Sequence, residues 1–430
     1  MAEIAAARPR ASKTAKDLAV TVVTKGVTLF GAFIISAMLA RMLGAEGRGI
    51  VTVIFMVPTL MATITDLGIR QATAFYIGQK VYPINDIMKT TYLLWVLSSL
   101  LSVIFIAVYF GIFYYGKYSS TLLLIALLSV PFTLFARYSN GVLQGCDQLG
   151  KINKLDLWNI ALNFASVVIL VWLLQLGVLG ATIVNLLIAA MLAVQSCLIV
   201  MRLAPFRIGH VNGLPLKFLK KGISYAIALF ILQLNYRINI LMLEQLSDLR
   251  SIGNFAVGVI LAELIWQLPA AAGMVLFAKS ANSRTQEEAI NRAAKLLRMM
   301  LPVALVSCLV IAVFAPIIVG VLYGEQFTDA ANVIRLLMPG IFIMFFYKVL
   351  NADLAGRGKP LFALAVYIIP LILNIVLNLI LIPLYNINGT AIASSISYII
   401  GGILFLIVYS RQTKVSIRDL LIMKRSDLRR

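Results

Sequence analysis

LAVTVVTKGVTLFGAFIISAMLARML, residues 18–43, is the stretch on which the reading of this chain turns. It follows a basic tail containing Arg8, Arg10, Lys13 and Lys16, so its start resembles a secretory leader. The apolar part of a leader runs only about 7–15 residues, and this run is longer, so it reads as an uncleaved first membrane span. Eleven further runs of roughly 20 mainly apolar residues, the length a helix needs to cross hydrocarbon, follow at 49–70, 90–115, 119–143, 155–176, 178–203, 222–246, 252–278, 297–322, 330–354, 360–384 and 388–410. The pattern predicts an all-α polytopic membrane protein of twelve transmembrane helices. Barrel strands alternate rather than run continuously apolar, and open sheet edges cannot face lipid.

Composition agrees. Of 430 residues, 61% are hydrophobic and 13% charged, with a mean hydropathy of +0.96. Soluble domains carry about 25% charged residues, so the bilayer must act as solvent for most of this surface. The formal net charge of +20 would suggest nucleic acid on a soluble chain. Here the distribution of Lys and Arg accounts for it without nucleic acid. Alternate connections, together with both tails, hold 29 of the Lys and Arg residues, and the opposite connections hold four: Arg41, Arg48, Lys117 and Arg250. The remaining four lie inside spans. That bias assigns both termini to the cytoplasm and requires an even number of spans. The expected organisation is a basic tail 1–17, a six-helix bundle 18–203, a cytoplasmic linker 204–221, a second bundle 222–410 and a basic tail 411–430. The longest external connection, around 114–120, is too short to house an enzyme site. Cys146, Cys197 and Cys308 have no CxxC spacing, and His210, in a polar loop, is the sole histidine. Neither a disulfide framework nor a metal centre is expected. Gly356-Arg-Gly-Lys359 lacks the spacing of a nucleotide-binding loop.

The halves repeat. Arg137-Tyr-Ser-Asn140-Gly-Val-Leu-Gln-Gly145 echoes Lys348-Val-Leu-Asn351-Ala-Asp-Leu-Ala-Gly356 with an offset of 211 residues. Asn163 meets Asn374 at the same offset, and Val178-Leu-Gly-Ala-Thr182 echoes Ile387-Asn-Gly-Thr-Ala391 at 209. Repeats of six spans start on the same side, as in transporters whose substrate site lies between two rocking halves. Pro58, Pro131, Pro269, Pro302, Pro316, Pro339 and Pro370 punctuate the spans, and each removes a backbone donor.

Lys25, Arg237, Arg335 and Lys348 fall within spans, and Arg137 lies one or two turns inside the inner edge. A cation at the bilayer centre costs about 2.5–3.5 kcal/mol on insertion scales, so each must face a wet cavity or a partner. Five cations face three intramembrane acids, Asp66, Glu263 and Asp353. The excess predicts a cationic cavity for an anionic substrate, since Arg chelates phosphate oxygens and Lys supplies a compact charge. Structural ion pairing stands beside that reading, as does snorkelling for Arg137 and Lys348. Gln233, Tyr236 and Arg237 share a helix face by their spacing, and with Asn239 and Tyr347 they are candidate polar or sugar contacts. Phe345 and Phe346 are further aromatics of this kind. Glu263 is a candidate for H⁺ or Na⁺ coupling, or a partner for Arg237. Asp66 is a second coupling candidate, or an i,i+4 partner of Arg70. No resident cofactor is expected.

Several stretches, taken in order, resemble the polysaccharide flippases (Wzx type) of the multidrug/oligosaccharidyl-lipid/polysaccharide exporter superfamily. They are Ala40-Arg-Met-Leu-Gly-Ala-Glu-Gly-Arg-Gly49 with Thr65-Asp-Leu-Gly-Ile69, Leu143-Gln-Gly145 leading to Lys151, Ile252-Gly-Asn-Phe-Ala256 continuing to Leu268-Pro269, and Leu322-Tyr-Gly-Glu-Gln-Phe327. The last runs from Gly358-Lys-Pro360 through Asn374, Asn378 and Ile382-Pro383 to Asn388-Gly-Thr-Ala391. The resemblance implies two pseudo-symmetric six-helix bundles arranged as in the multidrug exporters. It implies a non-enzymatic carrier in a bacterial cytoplasmic membrane that moves undecaprenyl-pyrophosphate-linked oligosaccharide outward for O-antigen, capsule or exopolysaccharide. Its partners would be the lipid-linked substrate, membrane lipid, a polysaccharide polymerase and a chain-length regulator. Three alternatives remain. A drug/cation antiporter of the same superfamily should carry an excess of mid-membrane acids. A lipid II flippase typically has two further spans. A membrane-embedded glycosyltransferase or polymerase needs an external acid cluster.

Overall fold

Two residues in the left-handed half of backbone space divide the longest helical runs. The computed structural model describes residues 8–203, 205, 207–209, 211–281, 283, 285–357 and 362–424. Helix α1, Arg8–Ile64, would be about 85 Å long if straight, nearly three hydrocarbon thicknesses. It breaks at Gly44 (φ 68°, ψ 178°), a conformation that glycine adopts without a Cβ penalty. Helix α12, Phe362–Thr413, breaks likewise at Asn386 (φ 51°, ψ −131°). The Asn386 side chain steadies this corner, accepting from Ser247 Oγ at 2.5 Å and donating to Ser251 Oγ at 3.0 Å. These breaks fall where the sequence separates spans 18–43 from 49–70 and 360–384 from 388–410.

The remaining helices are α2 (Ile69–Gln79), α3 (Ile84–Tyr109), α4 (Ser120–Gly145), α5 (Leu149–Val167), α6 (Gly177–Met201), α7 (Leu214–Leu246), α8 (Leu249–Glu263), α9 (Gln267–Ala281), α10 (Gln286–Tyr323), α11 (Asp329–Gly356) and α13 (Ile417–Leu421). Every regular element among the described residues is helical. Nine helical stretches among them are long and apolar enough to cross a membrane, against twelve spans expected. Two of the nine are the double-length runs broken at Gly44 and Asn386. The expected seventh span is helical as α7 but falls outside the nine; it carries Gln233, Asn235, Arg237 and Asn239 mid-helix. The expected motif at Gly358-Lys-Pro360 and the loop histidine His210 lie outside the described residues.

The lateral surfaces are inverted relative to a soluble protein. On α3, Leu97, Leu101, Ile104, Phe105 and Val108 are exposed in a helical stripe, while Ser98, Ser99 and Ser102 are buried. Without water outside, apolar stripes face acyl chains, and small polar residues form the helix contacts. The chain is a multi-pass membrane protein.

The chain divides into two compact units. The first comprises Met1–Leu43 and Ile54–Phe230, the second Gly44–Val53 and Ile231–Arg430. The division thus falls within α7, beyond the expected linker 204–221, and the short Gly44–Val53 segment joins the second unit. The first unit has a core of Met88, Tyr92, Phe135, Val142, Leu143, Leu155, Ala193 and Val200. In the second, α11 runs through the middle against α8, α9, α10 and α12, with Ile341, Met344, Phe345 and Val349 fully buried. The units share their internal corners. Gln175 (φ 50°), between α5 and α6, and Asn386 (φ 51°) are 211 residues apart, the same offset that relates Arg137 to Lys348.

In the second unit the Gly44–Val53 segment and α8 approach backbone to backbone. A methyl on Gly49 would lie 1.9 Å from the Leu249 carbonyl oxygen, and one on Gly253 would lie 1.9 Å from that of Ala45. The two contacts are reciprocal, and neither backbone can yield cheaply. Gly49→Ala and Gly253→Ala are each expected to cost about 1–3 kcal/mol by overpacking, read as a lower thermal unfolding midpoint in one detergent. Gly78→Ala, where nothing lies within 4 Å, is the control and should leave the midpoint unchanged.

Candidate functional site

Helix α7 carries two polar faces with different fates. Asn235 and Asn239 are each 1% exposed and fasten α7 to α12. Asn374 donates to the Asn235 main-chain oxygen at 3.1 Å, Asn378 to Asn239 Oδ1 at 2.9 Å, and Asn239 to Ser394 Oγ at 2.8 Å. Ser397 Oγ adds to the set by donating to Asn235 Oδ1 at 3.2 Å, while Asn235 Nδ2 and Asn378 Oδ1 stay buried without a partner among the described residues. Buried amides in hydrocarbon must find such partners. Asn239, expected as a polar contact for substrate, is therefore committed to holding two helices together.

The other face presents Tyr236 and Arg237. Span 8 is discontinuous opposite them. Helix α8 ends at Glu263, Leu264–Trp266 tighten into a 3₁₀ turn, and α9 resumes at Gln267. Pro269, which has no N–H for the Ile265 carbonyl, follows directly; such a turn inside a span is a natural hinge. The discontinuity aims two side chains at α7. Glu263 Oε2 lies 3.8 Å from the Arg237 guanidinium, while Glu263 Oε1 is buried with no hydrogen-bond partner among the described residues. Trp266 donates its indole N–H to the Ile341 carbonyl at 3.2 Å and packs against Tyr236 and Tyr398, with ring centroids 5.3 and 5.6 Å away. Lys348 of α11 sits over this aromatic set, its Nζ 4.3 Å from the Trp266 ring and 5.1 Å from that of Tyr236. Aromatic faces attract such a cation where water is scarce. Gln233, on the same helix, is exposed. Arg237, Glu263, Lys348, Tyr236, Trp266 and Tyr398 thus form one cluster within the second unit. Trp266 and Tyr398 were not among the expected site residues, because their letters resemble core packing and only the fold puts Trp266 under Lys348 and Tyr398 against Trp266 and Tyr236.

The other expected cations answer to different partners. Lys25 pairs with Asp156 of α5 at 2.6 Å, and Asn153, one turn earlier, donates to Thr21 Oγ1 at 2.9 Å. Asp156 stands at the inner edge of its expected span, so it escaped the count of intramembrane acids. Arg137 donates to the Ala62 carbonyl at 3.0 Å. The helix there stops at Ile64 and turns through Leu67 (φ 47°) and Gly68 (φ 67°) before α2, leaving carbonyls without helical donors. The same break keeps the expected Asp66–Arg70 pair from closing as a side-chain ion pair, although the Arg70 charge and main-chain N–H still act on the Asp66 carboxylate. An i,i+4 contact needs continuous helix, and no ion pair within 4 Å joins these two. Asp66 is instead 8% exposed with Oδ1 lacking a hydrogen-bond partner.

Arg335 is exposed on α11 and its Nε donates to the Ala312 carbonyl at 3.0 Å. That carbonyl is four residues before Pro316, so the helix supplies it no N–H. Asp353, counted as an intramembrane acid, is fully buried. It accepts from Arg357 Nε at 2.9 Å, Ser280 Oγ at 2.7 Å and Tyr409 OH at 2.8 Å. Tyr347 is packed against Tyr367 and Phe405, with centroids 4.8 and 4.9 Å away, and Phe345 and Phe346 are buried as well. These aromatics are core. The expected excess of unpaired cations is therefore smaller than the sequence count implied: Lys25 and Arg237 have acidic partners, and Arg137 and Arg335 serve helix carbonyls.

Two outcomes follow. Lys25→Asp and Asp156→Lys should each lower the amount of protein in the membrane, and the double exchange should restore it; an exchanged protein that is abundant but inactive would show that Lys25 itself touches substrate. In a double-mutant cycle, Arg335→Ala should cost about 1–2 kcal/mol less in a Pro316→Ala background, where the Ala312 carbonyl regains its helical donor. Thermal unfolding of the four proteins measures this.

Comparison with known proteins agrees with the fold and places the chain. Residues 14–277 match the polysaccharide biosynthesis protein family, and residues 226–380 match the MatE family. A 94-residue stretch is 30% identical to the probable low-salt glycan biosynthesis flippase Agl15 of Haloferax volcanii; it spans 22% of this chain and 20% of that protein. The chain superimposes on the lipid II flippase MurJ, in an inward closed conformation, with a TM-score of 0.76 and 16% identity, over 93% of this chain and 88% of that one. It also superimposes on an inward-facing multidrug resistance MATE family transporter of the MOP superfamily (TM-score 0.67, 17% identity, 90% and 94% coverage). A third match is the eukaryotic MATE transporter AtDTX14 (TM-score 0.64, 15% identity, 95% and 99% coverage). The architecture is that of the MOP superfamily transporters, and the match over most of its length makes this chain a member of the polysaccharide biosynthesis protein family.

Proposed function

We propose that this protein is a flippase that carries undecaprenyl-pyrophosphate-linked oligosaccharide from the cytoplasmic to the outer leaflet by alternating access, with both termini in the cytoplasm. The observation that carries the reading is Lys348 seated over Trp266 and Tyr236 beside the Arg237–Glu263 pair. A substrate with a pyrophosphate joined to sugar rings needs cations for one part and flat apolar faces for the other. Here both chemistries occupy one cluster at the discontinuity of span 8. Family membership and the flippase names of Agl15 and MurJ support the same class of cargo.

Charge exchange supplies a mechanism. An incoming pyrophosphate competes with Glu263 for Arg237 and draws Lys348 off the rings, leaving the half-buried Tyr236 as the ring a sugar can meet. Glu263, relieved of its partner in a dry site, then favours taking up H⁺ or Na⁺. The 3₁₀ turn is where span 8 bends in response. A polysaccharide polymerase and a chain-length regulator are the partners that would take the cargo on.

A second reading has its own support. Residues 226–380 match the MatE family, and the cluster contains a carboxylate that could hold a cationic drug, as an antiporter requires. The two readings separate in a strain lacking the chromosomal copy. Lys348→Ala should lower surface polysaccharide by at least about tenfold, while Lys348→Arg, which keeps the charge, should retain most of it. An antiporter would respond in the opposite sense: the Lys348→Ala protein would leave polysaccharide unchanged and alter resistance to cationic dyes.

A further inference from the structure

At one end of the second unit, α10 extends well beyond what a bilayer requires. Its 38 residues span about 57 Å against a hydrocarbon core of about 30 Å. The lipid-facing surface of α10 begins at Met299 and continues through Val303, Val306 and Val310, all exposed. Asn291, Lys295 and Arg298 lie just before it, on the extension. Chain following α12 folds back against this extension. Lys414, with φ 56°, reverses the direction, Ser416 caps α13, and Leu420 is fully buried.

Between these elements lies a cavity of about 450 Å³ lined by Asn291, Lys295, Arg298, Lys414, Ser416, Asp419 and Lys424, with Ala294 and Val415. Among the described residues the lining brings together four cations and one carboxylate. Asp419 offsets only part of that charge, because it already accepts from Lys424 at 2.7 Å and from Ser416 Oγ at 2.7 Å. Those contacts hold its carboxyl below the usual carboxylate range, so it stays charged, and among the described lining residues cations outnumber it. Arg298 is 7% exposed and is anchored by donating to the Asp419 main-chain oxygen. Its guanidinium is thus fixed at the level of the first lipid-facing side chain. Ile417, Ile422 and Met423 are exposed beside the cavity. An amphipathic segment with exposed apolar residues next to basic ones lies in the headgroup boundary of a membrane.

We propose that this cavity binds the phosphate of an anionic phospholipid headgroup, in the leaflet that the Lys and Arg bias assigns to the cytoplasm. Cations at headgroup depth recognise the phosphate, and a basic pocket between transmembrane helices on that side suits an anionic lipid. The flanking Ile417, Ile422 and Met423 favour a lipid over free phosphate, since they offer the start of an acyl chain a surface. Bound there, the lipid would join the extension of α10 to α13 and steady this end of the second unit. The site is separate from the Lys348 cluster and does not depend on its assignment.

Native mass spectrometry of the full-length protein in detergent, titrated with phosphatidylglycerol or phosphatidylcholine, tests the proposal. Lys295→Ala/Lys414→Asn removes two cations, and asparagine tolerates the left-handed backbone at 414. The double variant should bind phosphatidylglycerol about 10–30-fold more weakly, with phosphatidylcholine binding unchanged. Lys414→Asn alone, an exposed position, should show a smaller loss in the same direction and serves if the double variant is poorly folded. Inorganic phosphate should not displace the lipid. Phosphatidylglycerol affinity unaltered in both variants would overturn the site, and displacement by inorganic phosphate would overturn the lipid as its ligand.

Discussion

A charge at hydrocarbon depth has to be met within reach of its own side chain, because lipid supplies neither donors nor acceptors and water is remote. The five cations expected within or near the edge of spans meet that constraint in different ways. Lys25 and Arg237 reach carboxylates on neighbouring helices. Arg137 and Arg335 reach main-chain carbonyls. Lys348 rests on aromatic faces. The partner decides what each residue can do next. A cation serving a helix carbonyl maintains a kink or a break, and withdrawing it exposes a buried acceptor. A cation held by ring faces gives up a weaker, less directional attraction when an anion arrives, so Lys348 is the most readily redirected of the five.

Helix interruption is the second theme, and it depends on the first. Both units contain a broken span with a carboxylate at the break: Asp66 before the Leu67–Gly68 turn in one, Glu263 before the 3₁₀ turn in the other. A break releases backbone groups that must be satisfied by side chains. In the first unit Arg137 and Tyr138 do so, Tyr138 donating to the Thr65 carbonyl at 3.2 Å. In the second, Trp266 ties the turn to α11 through the Ile341 carbonyl. The interruptions are thereby held in defined geometry while still lacking the continuous ladder that makes a helix stiff. Elsewhere the second unit is fastened by the asparagine and serine set between α7 and α12 and by the Asp353 cluster. The broken spans are thus the places where a carboxylate, Asp66 or Glu263, stands beside an incomplete main-chain ladder.

The membrane class, the order of helical runs, the corners near Gly44 and Asn386, and the relation of Arg137 to Lys348 were legible from the amino acids alone. Each depends on local properties: apolar length, the gaps between apolar runs, charge placement and repeated letters. The grouping of Arg237, Tyr236 and Glu263 was partly legible, through helical spacing and an anticipated partner on the next span. The contribution of Trp266 was not, because nothing in the letters separates an aromatic beneath a cation from one in the core.

Sequence by itself thus determined that charges lie at membrane depth and that two related halves carry them. Tertiary structure decided which charges are answered and by what. Asp156 became the partner of Lys25 only when α5 packed beside the first helix, and the carbonyl left open by Pro316 mattered to Arg335 only because α11 runs alongside α10. The physical reason is the reach of the forces. Hydrophobic length and backbone preference act within a few residues of chain, whereas neutralising a buried charge acts across space, between helices whose pairing no local pattern encodes.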